Sequence, residues 1–432
     1  MKRRIYGAVG VNDVDGVRLA QGHPGLNASV GIDVGKYELL AVCRWADGRF
    51  ERPWRIVNPT EIADLVRRIE PLRAGRQLVV ALEPSGTYGD ALRQALSDVG
   101  LEVRRVSAKA AHDYAEVLDG VPSQHDGKDA AVVAELAAMG KSRAWPYQAA
   151  SEWEQELRYW VEWMVAQRGL LALWQGRLEG LLSRYWPEAT RTLKLTSVTL
   201  LRVLERYGSA QALLGDPKAA ERIQRWGGKL LEAKKVNRFM QEARITSGVR
   251  PGAWEVRRIQ ECARQALQAL RQGRVGEKRL RQLGRGHGVL EAQAAVVGLP
   301  TACVLWVSSG DPRNFDSAGA YRKAMGLNLV ERSSGTYQGQ LHLSKRGSAR
   351  SRQWLYFAAL RLVQRCGIRR WYEAKKAQDA SSATRVLVAL MRKLALALYQ
   401  VGVGGQKFDE RRLAVRLVRG RQDVPKTATK EG

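Results

Sequence analysis

The sequence predicts a mixed α/β N-terminal domain, a long antiparallel helical arm and a mainly α-helical C-terminal domain. Three observations carry that fold class. Three apolar strand patterns are followed by alternating helices and strands before residue 140. Large apolar residues then recur at alternating spacings of four and three from Trp153 to Tyr185. Amphipathic helical runs resume beyond residue 290. With 432 residues, 45% of them apolar and 26% charged, the chain can form two or three packed domains, and wholesale disorder is excluded.

Residues 1–28 are rich in Gly, Asp and Val without sustained periodicity and read as a loose leader. In the domain expected at 29–148, SVGIDVGK, YELLAVCRWA and ERPWRIVN read as strands, with Asp47-Gly48-Arg49 as a hairpin tip. Asn58-Pro59-Thr60 introduces a helix running to Leu72, QLVVALE is a continuous apolar strand, and GTYGDALRQALSDVG is a helix ended by Gly100. LEVRRVSA is a further strand, and helices follow at 109–119 and 126–139. Three antiparallel strands and then alternating helices and strands is the order of an RNase H-like fold, with a generic α/β domain as the alternative.

For the arm, 149–290, the seam is Trp153, Leu157, Trp160, Met164, Gln167, Leu171, Trp174, Leu178, Leu181 and Tyr185. Its spacing is that of an a/d coiled-coil stripe. Ile259, Ala263, Ala266, Leu270, Leu280 and Leu283 offer a partner stripe, and two long antiparallel helices would zip the two together. Shorter basic helices, broken at Gly227-Gly228, fill 187–250. In the C-terminal domain, 291–405, Gly298-Leu299-Pro300 and Gly310-Asp311-Pro312 bracket an apolar helix in the manner of a helix-hairpin-helix, whose turn amides commonly hold a phosphate. SAGAYRKAMGL, QWLYFAALRLVQRC and SSATRVLVALMRKLALALYQ are helical, NLVERSSGTYQGQLHLSKRGSARSR is a Gly/Ser/Arg-rich loop region, and 406–432 is a polar, basic, frayed tail.

Charge is distributed unevenly. The chain carries 71 Lys and Arg against 43 Asp and Glu, a formal +28. Residues 1–150 hold 20 basic and 19 acidic side chains, whereas 341–432 hold 21 and 6. A neutral module followed by strongly basic ones points to a polyanion, because phosphates most simply offset such self-repulsion. The N-terminus is basic but has no continuous apolar stretch of signal-peptide length, which leads to the expectation of a soluble intracellular protein. Four cysteines without a CxxC pair and only five histidines argue against a disulfide framework, a zinc ribbon or a His-rich metal site.

Two constellations can carry chemistry. Asp33 interrupts a buried strand pattern, where a carboxylate is costly unless paired or bound to a cation. Glu83 ends the next apolar strand, and Asp126 and Asp129 share one face of a helix start. Each acid has its own bland reading: an ion-pair partner of Lys36 for Asp33, a turn acceptor for Glu83, an N-cap for Asp126. As an ordered set, the four can converge at one edge of an α/β sheet as hard oxygen ligands for Mg²⁺ or Mn²⁺. A pair of such ions roughly 3.5–4 Å apart serves phosphodiester chemistry. The second constellation is Ser333-Ser334-Gly335-Thr336 with Ser344, Lys345, Arg346, Arg350 and Arg352 downstream, hydroxyls among cations suited to phosphate. Ser-Ser-Gly is also an ordinary turn sequence.

SVGIDVGK, VVALEPSGTYG and HDGKDAAVVAEL resemble the N-terminal motifs of the DEDD-type insertion-sequence transposases related to the Piv site-specific DNA invertase. GLPTACVLWV, FDSAGAYRKAMGL and SSGTYQGQLHLSKRGSARSRQWLYFAAL resemble their C-terminal transposase domain. The resemblance runs over roughly 29–140 and 294–365. It implies a RuvC-like N-terminal domain in which Asp33, Glu83, Asp126 and Asp129 ligate Mg²⁺ or Mn²⁺. It also implies a coiled-coil arm, and a C-terminal serine that joins covalently to a DNA phosphate. That serine maps to Ser334, with Ser333 and Ser344 as lesser candidates, and Arg332, Lys345, Arg346, Arg350 and Arg352 are the expected nucleic-acid contacts. The implied partners are donor and target DNA, a structured non-coding bridge RNA that pairs with both, and further copies of the chain in a dimer or tetramer. The implied place is the bacterial cytoplasm, at the nucleoid. Gln124-His125 stands where similar sequences commonly show a Lys-Thr pair, and the leader and basic tail have no evident counterpart.

Three rival classes stay open on residues alone. A RuvC-like junction-resolving nuclease would use the same acids with water as nucleophile. An actin-like ATPase or sugar kinase would use the GIDVG segment as a phosphate loop. A non-catalytic RNA-binding scaffold would need no carboxylate site.

Overall fold

A computed structural model describes residues 7–84, 86–120, 125–331, 341–378 and 382–414. The chain divides into two compact units, Met1–Ala149 and Ala150–Gly432.

The first unit is built on a seven-stranded sheet: β1 (Val9–Gly10), β2 (Ala28–Val34), β3 (Glu38–Trp45), β4 (Trp54–Val57), β5 (Leu78–Leu82), β6 (Glu102–Val106) and β7 (Ser142–Ala144), in spatial order β1-β4-β3-β2-β5-β6-β7. β2–β3 and β3–β4 are antiparallel, β2–β5 and β5–β6 parallel. Its helices are α1 (Gly16–Gly22), α2 (Ile62–Ile69), α3 (Asp90–Asp98), α4 (Ala108–Asp119) and α5 (Asp126–Ala138). The period-2 alternation of strand side chains sorts them onto two faces. Val30, Ile32, Leu39, Ala41, Ile56, Val80 and Leu82 share a core with α1, α2 and α3. Leu40, Val42, Ala81 and Val106 face α4 and α5 instead. Central strands covered on both faces read as the continuous apolar runs seen in the sequence.

The leader is a correction. β1 pairs with β4 in parallel, α1 follows with Asp15 as its N-cap, and Val11, Val14 and Ala20 are buried in the sheet's main core. Segments this short show no periodicity, so only their tertiary partners define them. β7, too short to read as a strand, closes the far edge against β6.

In the second unit, α6 (Glu152–Tyr185) opens with a capping box of Ser151 and Glu154. The short helices α7 (Ala189–Thr192), α8 (Val198–Tyr207), α9 (Ala210–Leu214), α10 (Ala219–Gly227) and α11 (Ala233–Arg244) lead to α12 (Ala253–Gly284). α6 and α12 run antiparallel: Trp153 Nε1 donates to the Leu283 carbonyl at 3.0 Å and Arg279 Nε to Glu156 at 2.6 Å, while Leu178 and Leu182 share a core with Ile259 and Ala263. The burial is broader than the predicted stripe, because Val161 and Leu182 are buried as well. The gap in the partner stripe between Leu270 and Leu280 is filled by buried Gly273 and Gly276. A Cβ at Gly276 would lie 3.1 Å from Met164 Cβ, so the helices approach closely there. Gly276→Leu is therefore expected to cost about 2–3 kcal/mol in urea unfolding, with Gly276→Ala nearly neutral because helix propensity offsets the tight contact.

The remaining helices are α13 (Gly288–Val297), α14 (Leu299–Ser309), α15 (Ala318–Ala324), α16 (Ala349–Val363), α17 (Cys366–Gln378), α18 (Ala383–Gly404) and α19 (Glu410–Ala414). A short antiparallel pair, β8 (Leu329–Val330) and β9 (His342–Leu343), lies between α15 and α16. α13 and α14 meet at a 117° bend at Gly298, whose φ is 84°. α18 is long and apolar enough to cross a membrane, yet Leu390, Leu394 and Leu398 are fully buried in this unit's core. Leu157, Val161, Met164 and Leu280 belong to that same core. The arm and the C-terminal helices thus share one core across the boundary expected at 290. The tail is also corrected up to Leu413, which is buried and whose carbonyl accepts from Lys393 Nζ, while Arg365 pairs with Glu410. Residues 415–432 lie outside the described residues.

Candidate active site

The carboxylates are positioned by strand register and by one closely packed helix. Ile32 of β2 pairs with Leu82 of the parallel strand β5. Asp33 and Glu83, each one residue further on, therefore leave neighbouring strands at the same level, strands being roughly 4.8 Å apart. Ser29, Gly31 and Asp33 alternate onto one face of β2. On that face lies α5: Ser29 Oγ donates to the Ala134 carbonyl at 2.9 Å, and a Cβ on Gly31 would stand 2.2 Å from Ala130 O and Ala134 N. α5 accordingly runs antiparallel to β2, which brings its first turn, with Asp126 and Asp129, toward Asp33. Small residues make the approach possible, since Gly127, Ala130, Ala131, Ala134 and Ala137 are all buried.

The electrostatics record the convergence. Asp33 is pushed up to about 6, first by burial and then by the charges of Asp129, Asp126 and Glu83, against one stabilising hydrogen bond from the Val34 N–H. Burial and Asp129 raise Glu83. Burial and Asp126 raise Asp129, with His125 and Lys128 pulling the other way. Among the described residues, the carboxylates do not close into a ready cage of three or more ligands. Mutual repulsion between like charges opposes such closure.

Sequence reasoning missed three supporting residues. Gly31 is the contact point for α5. Asn58 Nδ2 donates to Gly35 O at 3.0 Å and to Tyr88 O at 3.3 Å, tying the turn after Asp33 to the segment after Glu83. Lys128 is fully buried beside Asp129. A glycine inside an apolar strand signals close backbone approach and was legible; the other two had no local signal. His125, the departure noted above, keeps an N-cap on α5: its Nδ1 accepts from the Lys128 N–H at 3.2 Å.

In the second unit, Ser333-Ser334-Gly335-Thr336 falls in sequence between β8 and β9. Arg332, Ser333 and Ser334 lie outside the described residues. Ser344 is held by its backbone, donating to Asn328 O at 2.9 Å, and its Oγ accepts from the Arg346 N–H at 3.4 Å. Lys345 adopts a left-handed φ of 55°, and Lys345 and Arg346 are exposed. Two of the expected nucleic-acid contacts have partners within the chain. Arg350 forms a bidentate pair with Glu162 of α6, and Arg352 donates to the carbonyls of Lys345 and Gly347. Spacing showed a cluster of cations but could not show which of them the fold uses to brace its own turn.

Residues 30–187 match the transposase family of DEDD type from IS110 elements, and residues 293–376 match the Transposase IS116/IS110/IS902 family. Together the matches span more than half of the chain. The chain belongs to the IS110 family of transposases. A Streptomyces coelicolor protein, the insertion element IS110 uncharacterized 43.6 kDa protein, is 25% identical over 352 residues, 78% of this chain and 84% of the relative. As an IS110-family transposase the protein is a DNA-binding enzyme of transposition, and the DEDD match covers Asp33, Glu83, Asp126 and Asp129. The transposase's carboxylates fit a hard divalent cation. The donor set is all oxygen, and Asp33 is a half-buried carboxylate whose charge its three neighbours oppose, a conflict that a cation relieves.

Proposed function

We propose that this transposase cuts and rejoins donor and target DNA through a DEDD metal site and a covalent phosphoserine, under the guidance of a structured RNA. The observation that carries the reading is the mutual coupling of Asp33, Glu83, Asp126 and Asp129 at one sheet edge. The order β4-β3-β2-β5-β6, with the acids at the carboxyl ends of β2 and β5 and on the facing helix, supports an RNase H-like, RuvC-like catalytic domain.

Asp33, Glu83, Asp126 and Asp129 would hold Mg²⁺ or Mn²⁺. Bound there, the ions would neutralise charge on the scissile phosphate and its departing 3′ oxygen. The chain's own work is to present four carboxylates from rigid elements, with Gly31 and Asn58 fixing the helix and the loops that bear them. Ser334 is the proposed nucleophile: its Oγ–P bond forms as the P–O3′ bond breaks, and the serine proton ends on the released 3′ hydroxyl. The phosphodiester energy is kept in the phosphoserine, so rejoining needs no ATP. The excess positive charge beyond residue 150, and the exposed Lys345 and Arg346, support binding of an RNA–DNA assembly through its backbone, with base pairing supplying sequence choice. The antiparallel α6–α12 pair supports the coiled-coil arm, and a homo-oligomer acting at the bacterial nucleoid completes the proposal.

The test is strand exchange on DNA bearing an element end, with the RNA that copurifies with the chain sequenced and added back. Ser334→Ala is expected to remove both exchange and the covalent protein–DNA adduct seen on denaturing gels. Exchange persisting in Ser334→Ala would sink the serine assignment. Cleavage without any adduct in the wild type would move the protein to the water-using, junction-resolving class.

A further inference from the structure

We propose that Lys128 is a positioning residue for the carboxylate site, clamping the first turn of α5 through Asp119 so that Asp126 and Asp129 are held near Asp33. The inference rests on the metal-site reading above and concerns a side chain that reading does not use.

Among the described residues three charged side chains are buried, Lys128, Glu188 and Asp311, and Lys128 is the one cation. Its side chain is 0% exposed and its Nζ lies 2.6 Å from Asp119 Oδ1. Asp119 is the last residue of α4, directly before Gly120, which caps that helix in the left-handed conformation. The pair therefore links the end of one helix to the start of the next. Along α5, Lys128 sits between Asp126 and Asp129, and the positions around it are Gly, Ala and Val.

Stability alone does not call for a lysine there. Taking an ammonium out of water is expensive, and buried ion pairs are commonly replaced by apolar side chains at no loss. An apolar residue would suit the small-residue surface of α5 better. A local rule broken in this way points to function. The function follows from the charges nearby. Without a cation, four carboxylates at one edge push the first turn of α5 away from β2. An anchor is needed on the side of the turn facing α4, and a buried ammonium locked on Asp119 supplies it. The same positive charge lies next in sequence to Asp129 and opposes the local anionic repulsion. A neutral side chain of similar length could fill the space but could neither hold Asp119 nor offset the acids.

The experiment compares the full-length wild type, Lys128→Met, Asp119→Asn and Asp33→Asn by Mn²⁺ titration, read as thermal shift, and by metal-free amide hydrogen exchange in the first turn of α5. Lys128→Met, which leaves Asp119 without this partner, is expected to melt below the wild type, to need on the order of tenfold more Mn²⁺ for half of its stabilisation, and to exchange faster at 126–131. Asp119→Asn, which alters the clamp from its more exposed end, is expected to shift Mn²⁺ half-saturation the same way, and the double variant to add little to Lys128→Met. Unchanged Mn²⁺ half-saturation and unchanged exchange in both clamp variants would overturn the proposal, and a loss of stability alone would make Lys128 merely structural. The metal-site reading fails separately: that outcome is an Asp33→Asn protein whose Mn²⁺ response equals the wild type's.

Discussion

Asparagine in place of Asp33 is expected to yield a protein that folds more stably than the wild type and no longer exchanges DNA strands. The stability gain comes from the site's own repulsion. Asp33 titrates near 3.8 in the unfolded chain and near 6 in the fold, where burial and three neighbouring acids oppose its charge. Below about pH 4 the carboxyl is protonated in both states and no penalty exists. Between about pH 4 and 6 the folded chain keeps a proton that the unfolded chain has lost, so stability falls as pH rises; above 6 the penalty is constant. The metal-free wild type should therefore lose roughly 2–3 kcal/mol across that window in denaturant titrations, and Asp33→Asn should show most of that dependence removed. On the proposed mechanism, strand exchange should fall on the order of a thousandfold or more, since a carboxylate that would hold the metal is lost. A variant that is more stable and still fully active would show that Asp33 lies outside the chemistry.

Gly31→Ala is expected to be strongly destabilising and to reach the carboxylate site. The added Cβ would stand 2.2 Å from the Ala130 carbonyl oxygen and from the Ala134 nitrogen, both backbone atoms that no rotamer change can move. α5 must shift off β2, losing the Ser29–Ala134 hydrogen bond and the packing of Ala130 and Ala134. The expected cost is about 3 kcal/mol or more, beyond ordinary overpacking. Because Asp126 and Asp129 ride on the first turn of that helix, activity should fall with stability. Thermal denaturation together with a strand-exchange assay at a temperature where the variant stays folded separates the two losses. Wild-type stability in Gly31→Ala would mean that α5 does not lie on Gly31 as described.

Against these expectations, the residues show unequal legibility. The strands of the first unit were readable because buried central strands are continuous apolar runs bounded by turn residues, as in QLVVALE and SVGIDVGK. Helices α4 and α5 were placed from the sequence to within a residue of their observed ends. The leader was misread because β1 and α1 owe their order to β4 and the main core rather than to any pattern of their own. The arm's stripe was readable where large side chains pack and silent at Gly273 and Gly276, where the contact is made by the absence of a side chain.

For the site, the sequence by itself determined the chemical types. An acid inside an apolar strand, another at the end of the next and a pair on one helix face are costly placements, and that cost is visible without coordinates. Only the tertiary structure decided that the four acids oppose one another's charge, that Arg350 belongs to Glu162 and that Lys128 is sealed against Asp119. Burial cost is a property of a residue in its local pattern and can be read along the chain. Partnership depends on which distant backbone segments come within a few ångströms, and that is set by strand register and helix packing.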